Sequence, residues 1–395
     1  MKILVICQYY YPEPFRITDI CEEFVRRGHE VVVVTGTPNY PEGKIYPGYE
    51  HGRKRDETLN GVRIHRCPLV PRKTGVLFRL LNYFSFPITS SRYARSKACA
   101  PADGGTFDVV FVNQLSPVMM ARAGLVYMKK HNVPSLLYCL DLWPESLVAG
   151  GASRGSLLYR IFHTASRRFY RQVDRILVTS RMFQPYLQEQ FDIAAERISY
   201  LPQYAEALFD ELPPREPDGA TNLAFAGNIG FAQSVETILR AAELVKDEPV
   251  RFHIVGGGAD LERLQALAKE LELANVTFYG RRPVEEMPAF YAKADAMLVT
   301  LRVDPVLSLT LPGKVQSYMA AGKPIIGAID GETAEVIRDA QCGFWGPAED
   351  VQTLAENIRK FAALEDKAPL GRSARMYYEA HFEKERFMDL LEREL

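Results

Sequence analysis

Short runs of β-branched and aromatic residues return along the whole chain, each separated from the next by room for one helix. This alternation constrains the fold more than any other feature. Residues 2–7 and 30–35 are two such runs, and the apolar residues at 17, 20, 21, 24 and 25 between them have helical spacing. Further runs stand at Val109–Val112, Ser135–Leu140 and Ile176–Thr179. The pattern restarts with Asn222 to Gly230 and continues at Phe252–Val255, Val276–Tyr279, Ala296–Val299 and Pro324–Gly327. Apolar strands alternating with helices predict parallel sheets covered on both faces. The expectation is an α/β chain of two doubly wound, Rossmann-like domains.

A proline-rich, polar stretch, 203–220 with Pro213 and Pro214, divides the two series. It predicts a first domain over 1–205, a linker over 206–220, a second domain over 221–375, and a final helical segment, 376–395, that runs back to the first domain. At 395 residues the chain is long enough for two cores. Hydrophobic residues at 47% and charged residues at 25% suit a soluble globular protein, and no run approaches the roughly 18 apolar residues of a membrane span. The N-terminus reads as a first strand without a cleavage site, so a cytosolic chain is expected. Six cysteines without paired spacing indicate neither a zinc site nor a disulfide framework.

The net charge of −1 conceals a division, with 27 Lys and Arg against 17 Asp and Glu over residues 1–205, and 21 against 32 over the rest. A basic first domain suits an anionic surface or acceptor. No basic stripe belongs to a recognised nucleic-acid module. Two acid-free stretches, Arg72 to Lys97 and Ser153 to Gln172, interleave arginines with Phe, Tyr and Leu. Their composition suits a helix lying in the headgroup layer of an anionic membrane, or equally a basic helix packing its aromatics on its own domain.

Open parallel sheets bind ligands at the carboxyl ends of their strands. In the first domain these ends carry Glu13 and Arg16, then Asn39 and Tyr40, then Asp141 and Glu145. An acid directly after a buried strand is either chemical or a helix N-cap. His65 reads as an outward residue of an edge hairpin. In the second domain the focus is Leu311 to Gly327. Pro312 suits a helix start, Gly322 ends the helix after about three turns, and Lys314 stands one turn in, where free N–H groups and the helix dipole suit a diphosphate. The Gly256-Gly-Gly run does not fit the dinucleotide fingerprint.

Six segments in order carry a resemblance: Arg27-Gly-His-Glu-Val, Phe225-Ala-Gly-Asn-Ile-Gly, Ile254-Val-Gly-Gly-Gly, Phe278-Tyr-Gly-Arg, Tyr291 to Asp295, and Lys314 to Pro324. Together they resemble the GT-B glycosyltransferases of family 4. The Asn39-Tyr-Pro and Asp141-Leu-Trp-Pro-Glu-Ser segments look like its WbuB-like branch, associated with transfer of fucose-type sugars such as N-acetylfucosamine. The resemblance implies two domains facing across a crevice and a retaining transfer from a nucleoside-diphosphate sugar, a UDP-sugar ahead of a GDP-sugar, with no metal or other cofactor required. It implies a lipid-diphosphate-linked saccharide as acceptor, in surface-polysaccharide (O-antigen or capsule) assembly, with the enzyme peripheral at the inner face of the cytoplasmic membrane and no nucleic-acid partner.

Carried over residue by residue, the donor positions are Gly227, Asn228, Gly230, Gln233, Arg281, Leu311, Gly313, Lys314 and Ser317. Lys314 and Asp141 match the catalytic positions, and Glu13, Arg16, Asn39, Tyr40, Asp141 and Glu145 the acceptor side. The sequence departs from the family where two glutamates eight apart usually stand, since Leu309 and Ser317 occupy those positions. Asp304 or a backbone group is then the expected ribose contact, and Gln233 replaces a lysine found in many relatives. A catalytically silent sugar-nucleotide-binding partner and a sugar-nucleotide 2-epimerase are the alternatives on the same fold.

Overall fold

The computed structural model describes residues 1–71, 76–149, 153–214 and 218–395. They form two compact units. The first comprises Met1–Thr179, Phe183–Leu201 and Met388–Leu395, and the second Ser180–Met182 and Pro202–Phe387.

In the first unit, β1 (Lys2–Ile6), β2 (Glu30–Gly36), β3 (Asp56–Leu59), β4 (Val62–Cys67), β5 (Val109–Gln114), β6 (Ser135–Cys139), β7 (Arg175–Val178) and β8 (Ile198–Tyr200) form one sheet in the order β3-β4-β2-β1-β5-β6-β7-β8. Every pair is parallel except β3 with β4, a hairpin closed by Asn60-Gly61. Both turn residues have positive φ, 48° and 83°, which Asn-Gly supplies at little steric cost. The expected edge hairpin is therefore present, with His65 on β4 bonded to Asp56 at 2.6 Å and stacked on Tyr93 at 3.5 Å. All residues of β5 and β6 are buried, as helices on both faces require. The strand order reverses between β1 and β5.

In the second unit, β9 (Thr221–Ala226), β10 (Val250–Val255), β11 (Val276–Gly280), β12 (Ala296–Thr300), β13 (Ile325–Ala328) and β14 (Gly343–Gly346) form an all-parallel sheet in the order β11-β10-β9-β12-β13-β14. Alternate strand residues feed two cores. One holds Leu223, Phe225, Ile254 and Leu298, and the other Ala224, Met297, Val315 and Tyr318. The reversal lies between β9 and β12. The short edge strands β8 and β14 carry too little periodicity to stand out in the sequence.

The unit boundary lies nearer the N-terminus than the proline-rich stretch. Ala205 and Phe209 belong to the second unit's core, where Phe209 stacks on Tyr291 at 4.7 Å, so the chain passes between units at Leu201 and Pro202. Residues 215–217 of the expected linker lie outside the described residues. The helix Ala368–His381 also stays with the second unit, burying Ala374 and Tyr378, and the Tyr378 hydroxyl accepts from Ala205 N at 3.2 Å. Of the expected returning segment, Met388–Leu395 joins the first unit, as the end of the helix Lys384–Glu394. Arg27 reaches Asp389 at 2.8 Å and Glu392 at 3.0 Å, and His29 meets Glu392 at 2.9 Å.

Candidate functional site

In the second unit the loops after β9, β10, β11 and β12 gather at the reversal of strand order, where an open α/β sheet leaves a crevice for ligands. The loops after β9 and β10 interlock through glycine. Gly227 N donates to Val255 O at 2.9 Å and Ile229 N to Gly257 O at 2.9 Å, and Gly256 N donates to Gly280 O at 2.9 Å. A Cβ on Gly256, at φ +150°, would stand 1.8 Å from the Gly227 carbonyl oxygen, and one on Gly258 would stand 2.2 Å from that of Ile229. Only glycine permits this approach. Gln233 closes the turn, its side-chain oxygen accepting from Gly230 N and Asn228 Nδ2, each at 3.1 Å. It therefore acts on the loop that carries Asn228 and Gly230.

The helix Gly313–Ala320 starts at the same place. It is eight residues long rather than three turns, with Pro312 as an N-cap that has no side-chain acceptor and whose carbonyl takes Val315 N at 2.9 Å, which leaves the Gly313 and Lys314 N–H groups at the first turn. Lys314 projects toward the glycine turn. Its ammonium sits 3.7 Å from the centre of the Phe225 ring and 3.0 Å from the point where a Gly227 side chain would begin. The Nζ is buried and, among the described residues, has no hydrogen-bond partner. Burial lowers its pKa from 10.5 to about 7. A buried cation with only a ring face for company is costly, and an arriving anion would reverse that cost.

The other residues expected on the donor side have these surroundings. Leu311 is buried in the core, and Ser317 turns its hydroxyl toward Gly313 O at 3.4 Å. The Arg281 side chain begins 3.5 Å from the space above Gly257 and is exposed. Asp304 holds the N–H groups of Val306 and Leu307 at 2.7 and 3.0 Å, which commits one of its oxygens to a turn. Two neighbours escaped the sequence reading. Phe225 supplies the ring beneath Lys314, and Glu332, fully buried after β13, accepts from Arg181 Nε at 3.0 Å and Met182 N at 3.2 Å. Phe225 reads as an ordinary strand residue. Glu332 follows Gly331, whose φ of +67° and Cβ space 1.9 Å from Ser308 O mark the turn only once the fold is known.

In the first unit, the loops after β1 and β2 meet through Glu13. Its carboxylate is buried and accepts from Asn39 N at 2.8 Å, Tyr40 N at 2.7 Å and Tyr10 N at 3.3 Å. Burial pushes its pKa up to about 7 against the pull of those N–H groups. Tyr40 joins Tyr9 and Phe15 in an aromatic cluster with centroids 5.1 to 5.4 Å apart, and Arg16 opens the helix Ile17–Arg26 beside it. Asp141 follows β6 and accepts from both Ser116 N and Ser116 Oγ at 3.1 Å. Glu145 is buried and occupied, by Arg154 at 3.0 and 3.1 Å, Tyr159 at 2.7 Å and Tyr186 at 2.8 Å. It braces the unit from within.

The two basic stretches lie on helices Val76–Arg95 and Leu157–Gln172, and each divides its aromatics. Tyr83, Phe86 and Phe162 point inward, whereas Phe78, Leu81, Phe84, Ile88, Leu157, Leu158 and Ile161 are exposed. Phe84 stacks on the buried Phe162 at 6.4 Å, which joins the two helices. Arg122, Lys129, Arg160 and Arg168 rim a groove of about 1130 Å³ over Leu125 and Phe169. Arg72 and Lys73, and the side chains of Leu77 and Arg79, lie outside the described residues. Among those described, no helix is long and apolar enough to cross a membrane, and no group of three or more His, Cys, Asp or Glu could hold a metal ion.

Residues 211–380 match the family model described as glycosyl transferases group 1, and residues 15–203 match the glycosyl transferase 4-like domain. The chain belongs to the GT-B glycosyltransferases. It is 27% identical over 343 residues to a protein named for colanic acid biosynthesis, the glycosyl transferase WcaI of Escherichia coli K12, covering 82% of each chain. It is 30% identical over 244 residues to a protein named as glycosyltransferase WbjE from Pseudomonas aeruginosa, covering 58% of this chain and 60% of that one. The fold is that of sucrose-phosphate synthase from Thermosynechococcus elongatus, with a TM-score of 0.75 at 17% identity over 99% of this chain and 97% of the other. It is also that of Anabaena Alr3699/HepE, solved in complex with UDP, with a TM-score of 0.73 at 14% identity over 100% and 99%. In this glycosyltransferase the glycine turn, Phe225 and Lys314 stand at the sheet's switch point.

Proposed function

We propose that this glycosyltransferase moves a sugar, with retention and without a metal, from a nucleoside-diphosphate sugar bound in its second unit to a lipid-diphosphate-linked saccharide in surface-polysaccharide assembly. One observation carries the reading. Lys314 holds a buried, unpartnered ammonium between a glycine turn and a helix start, and that is a site made for the anion that leaves. As the glycosidic bond breaks, negative charge grows on the departing diphosphate, and preorganised cations and N–H groups stabilise it there. The diphosphate in turn raises the Lys314 pKa, so the lysine is charged when needed. Asp141 and Glu13 are the acceptor-side carboxylates with a part in binding or proton movement, with Arg16, Asn39 and Tyr40 beside them. Glu145, already bonded four times, supports their loop.

Two comparisons pull the donor base in different directions. The HepE neighbour is solved with UDP, and a mycobacterial relative 27% identical over 226 residues is named as GDP-mannose-dependent. We favour a UDP-sugar, and a WbuB-like preference for a fucose-type sugar rests on the resemblance alone. The acceptor's lipid and a peripheral position at the cytoplasmic membrane face are supported by the exposed apolar side chains of the helices Val76–Arg95 and Leu157–Gln172 and by the basic-rimmed groove between Arg122–His131 and Leu157–Gln172.

A thermal-shift series with UDP, GDP, ADP, CMP and dTDP, with and without magnesium, tests the donor site. A selective, magnesium-independent rise with one of them is expected, since a ligand of the folded state stabilises it by mass action. No rise with any would reject the donor reading and favour a silent partner. Pelleting with anionic vesicles tests the membrane face, and pelleting unchanged by removal of Arg160 and Arg168 would reject it.

A further inference from the structure

Between β2 and β3 the chain passes through residues 49–55, where His51 and Lys54 hold left-handed backbone, φ 55° and 50°, although neither is glycine. Such conformations are strained for a side-chain-bearing residue and persist where the surroundings impose them. Here they bend the segment so that His51, Arg53 and Arg55 line a cavity of about 150 Å³ with Thr37, Tyr49 and Arg66. That is the volume of roughly five liquid waters. It has room for a phosphate or carboxylate group with some hydration.

No carboxylate lines this cavity, although Glu57 pairs with the lining Arg66 from outside it and Glu50 acts electrostatically on Arg53 and His51. Glu50 accepts from Gly48 N at 2.8 Å, Asp56 pairs with His65 at 2.6 Å, and Glu57 lies 2.7 Å from Arg66 and 3.7 Å from Lys54. Arg53 and Arg55 form no ion pair among the described residues. Arg66 is different again. Its side chain is only 2% exposed, its Nη atoms donate to Lys54 O at 2.9 Å and Tyr11 O at 3.0 Å, and its Nε is buried with no hydrogen-bond partner. Arg66 is thus held by Glu57 and two carbonyls, and the lining guanidiniums open to a ligand are those of Arg53 and Arg55, which suit the paired oxygens of a phosphate or carboxylate.

The cavity stands beside the acceptor-side loops. Arg66 Nη2 bonds the carbonyl of Tyr11, two residues before Glu13, and Thr37 stands two residues before Asn39. We infer that this cavity binds an anionic group, phosphate or carboxylate, carried by the acceptor. Assigning the anion to the acceptor rests on the transfer reading above, whereas anion binding at Arg53 and Arg55 does not.

The test is a calorimetric titration, at constant ionic strength, of glycerol phosphate, glucuronate and neutral glucose into the wild-type protein and into the Arg53→Gln/Arg55→Gln variant. Glycerol phosphate or glucuronate is expected to bind the wild type and glucose not to. The double variant should bind that anion at least tenfold more weakly while keeping its unliganded melting temperature and its affinity for nucleoside diphosphates. An Arg53→Lys/Arg55→Lys variant, which retains both charges, should recover most of the loss. Preference for the phosphate identifies a phosphorylated acceptor, and preference for glucuronate an acidic sugar. Equal affinity in the wild type and the glutamine variant, or no binding of either anion to the wild type, overturns the inference. Anion binding at the cavity without nucleoside-diphosphate binding counts against the transfer reading and leaves the cavity's ligand class standing.

Discussion

Replacing Lys314 by methionine should make the unliganded protein more stable and the transferase less able to hold its donor. Methionine keeps the unbranched stem over Phe225 and removes the ammonium that has no hydrogen-bond partner. A fall in pKa from 10.5 to about 7 corresponds to a penalty of about 4 kcal/mol near neutral pH, at roughly 1.4 kcal/mol per unit. The Phe225 face offsets about 1 kcal/mol of it. The net gain on substitution is then about 3 kcal/mol, or roughly 6 °C or more in the melting temperature of a unit this size. The pH dependence has a definite sign. Because the folded pKa lies below the unfolded one, the unfolded state holds the extra proton between about pH 7 and 10.5, so wild-type stability rises across that window. The advantage of Lys314→Met should therefore shrink between about pH 7 and pH 9.5. Scanning calorimetry at both pH values, with and without the nucleoside diphosphate that binds the wild type, reads every term. A variant less stable than wild type, an advantage that does not narrow with pH, or an undiminished nucleotide-induced rise would refute the reasoning. Turnover should fall at least tenfold.

Gly256→Ala places a methyl group 1.8 Å from the Gly227 carbonyl oxygen at a φ of +150°, so the two glycine loops must separate. Nucleotide binding should be lost, with destabilisation of about 2 kcal/mol or more, read by thermal melts. Glu145→Gln leaves the Arg154 guanidinium and two tyrosine hydroxyls facing a neutral amide, and about 1–3 kcal/mol of stability should go with them. A denaturant titration that finds no loss would return Glu145 to the list of acceptor-binding groups. Glu13 has a folded pKa raised from 4.5 to about 7, so the folded state holds the extra proton between those values and wild-type stability falls as pH rises through them. Glu13→Gln should therefore gain on wild type between about pH 5 and pH 7.5, and parallel melting curves across that range would show that the Glu13 carboxyl is not buried as described.

Much of the fold was legible because it is encoded locally. Fully buried strands such as β5 and β6 read as unbroken apolar runs, Asn60-Gly61 announces a hairpin by its own backbone preference, and Pro312 and Gly322 mark the ends of a helix whatever it packs against. Strand ends were legible too, and so were the polar residues that follow them. The end of the first unit was legible to within four residues, at Leu201 against an expected 205, whereas which core the following stretch joins is decided by the contacts of Ala205 and Phe209.

The candidate site divides in the same way. The sequence alone determined that a glycine turn follows one strand and that a lysine follows a helix start, because turn chemistry and capping are properties of a few consecutive residues. Tertiary structure alone decided that Lys314 lies over Phe225, that the Glu13 carboxylate gathers the N–H groups of Asn39 and Tyr40, that Glu145 is spent on Arg154 and two tyrosines, and that Arg66 stands in a cavity with Arg53 and Arg55. Each of these partners depends on which strands lie side by side and how deep a side chain is buried. Burial is what turns an ordinary lysine or glutamate into one with a pKa near neutrality, and no local pattern carries it.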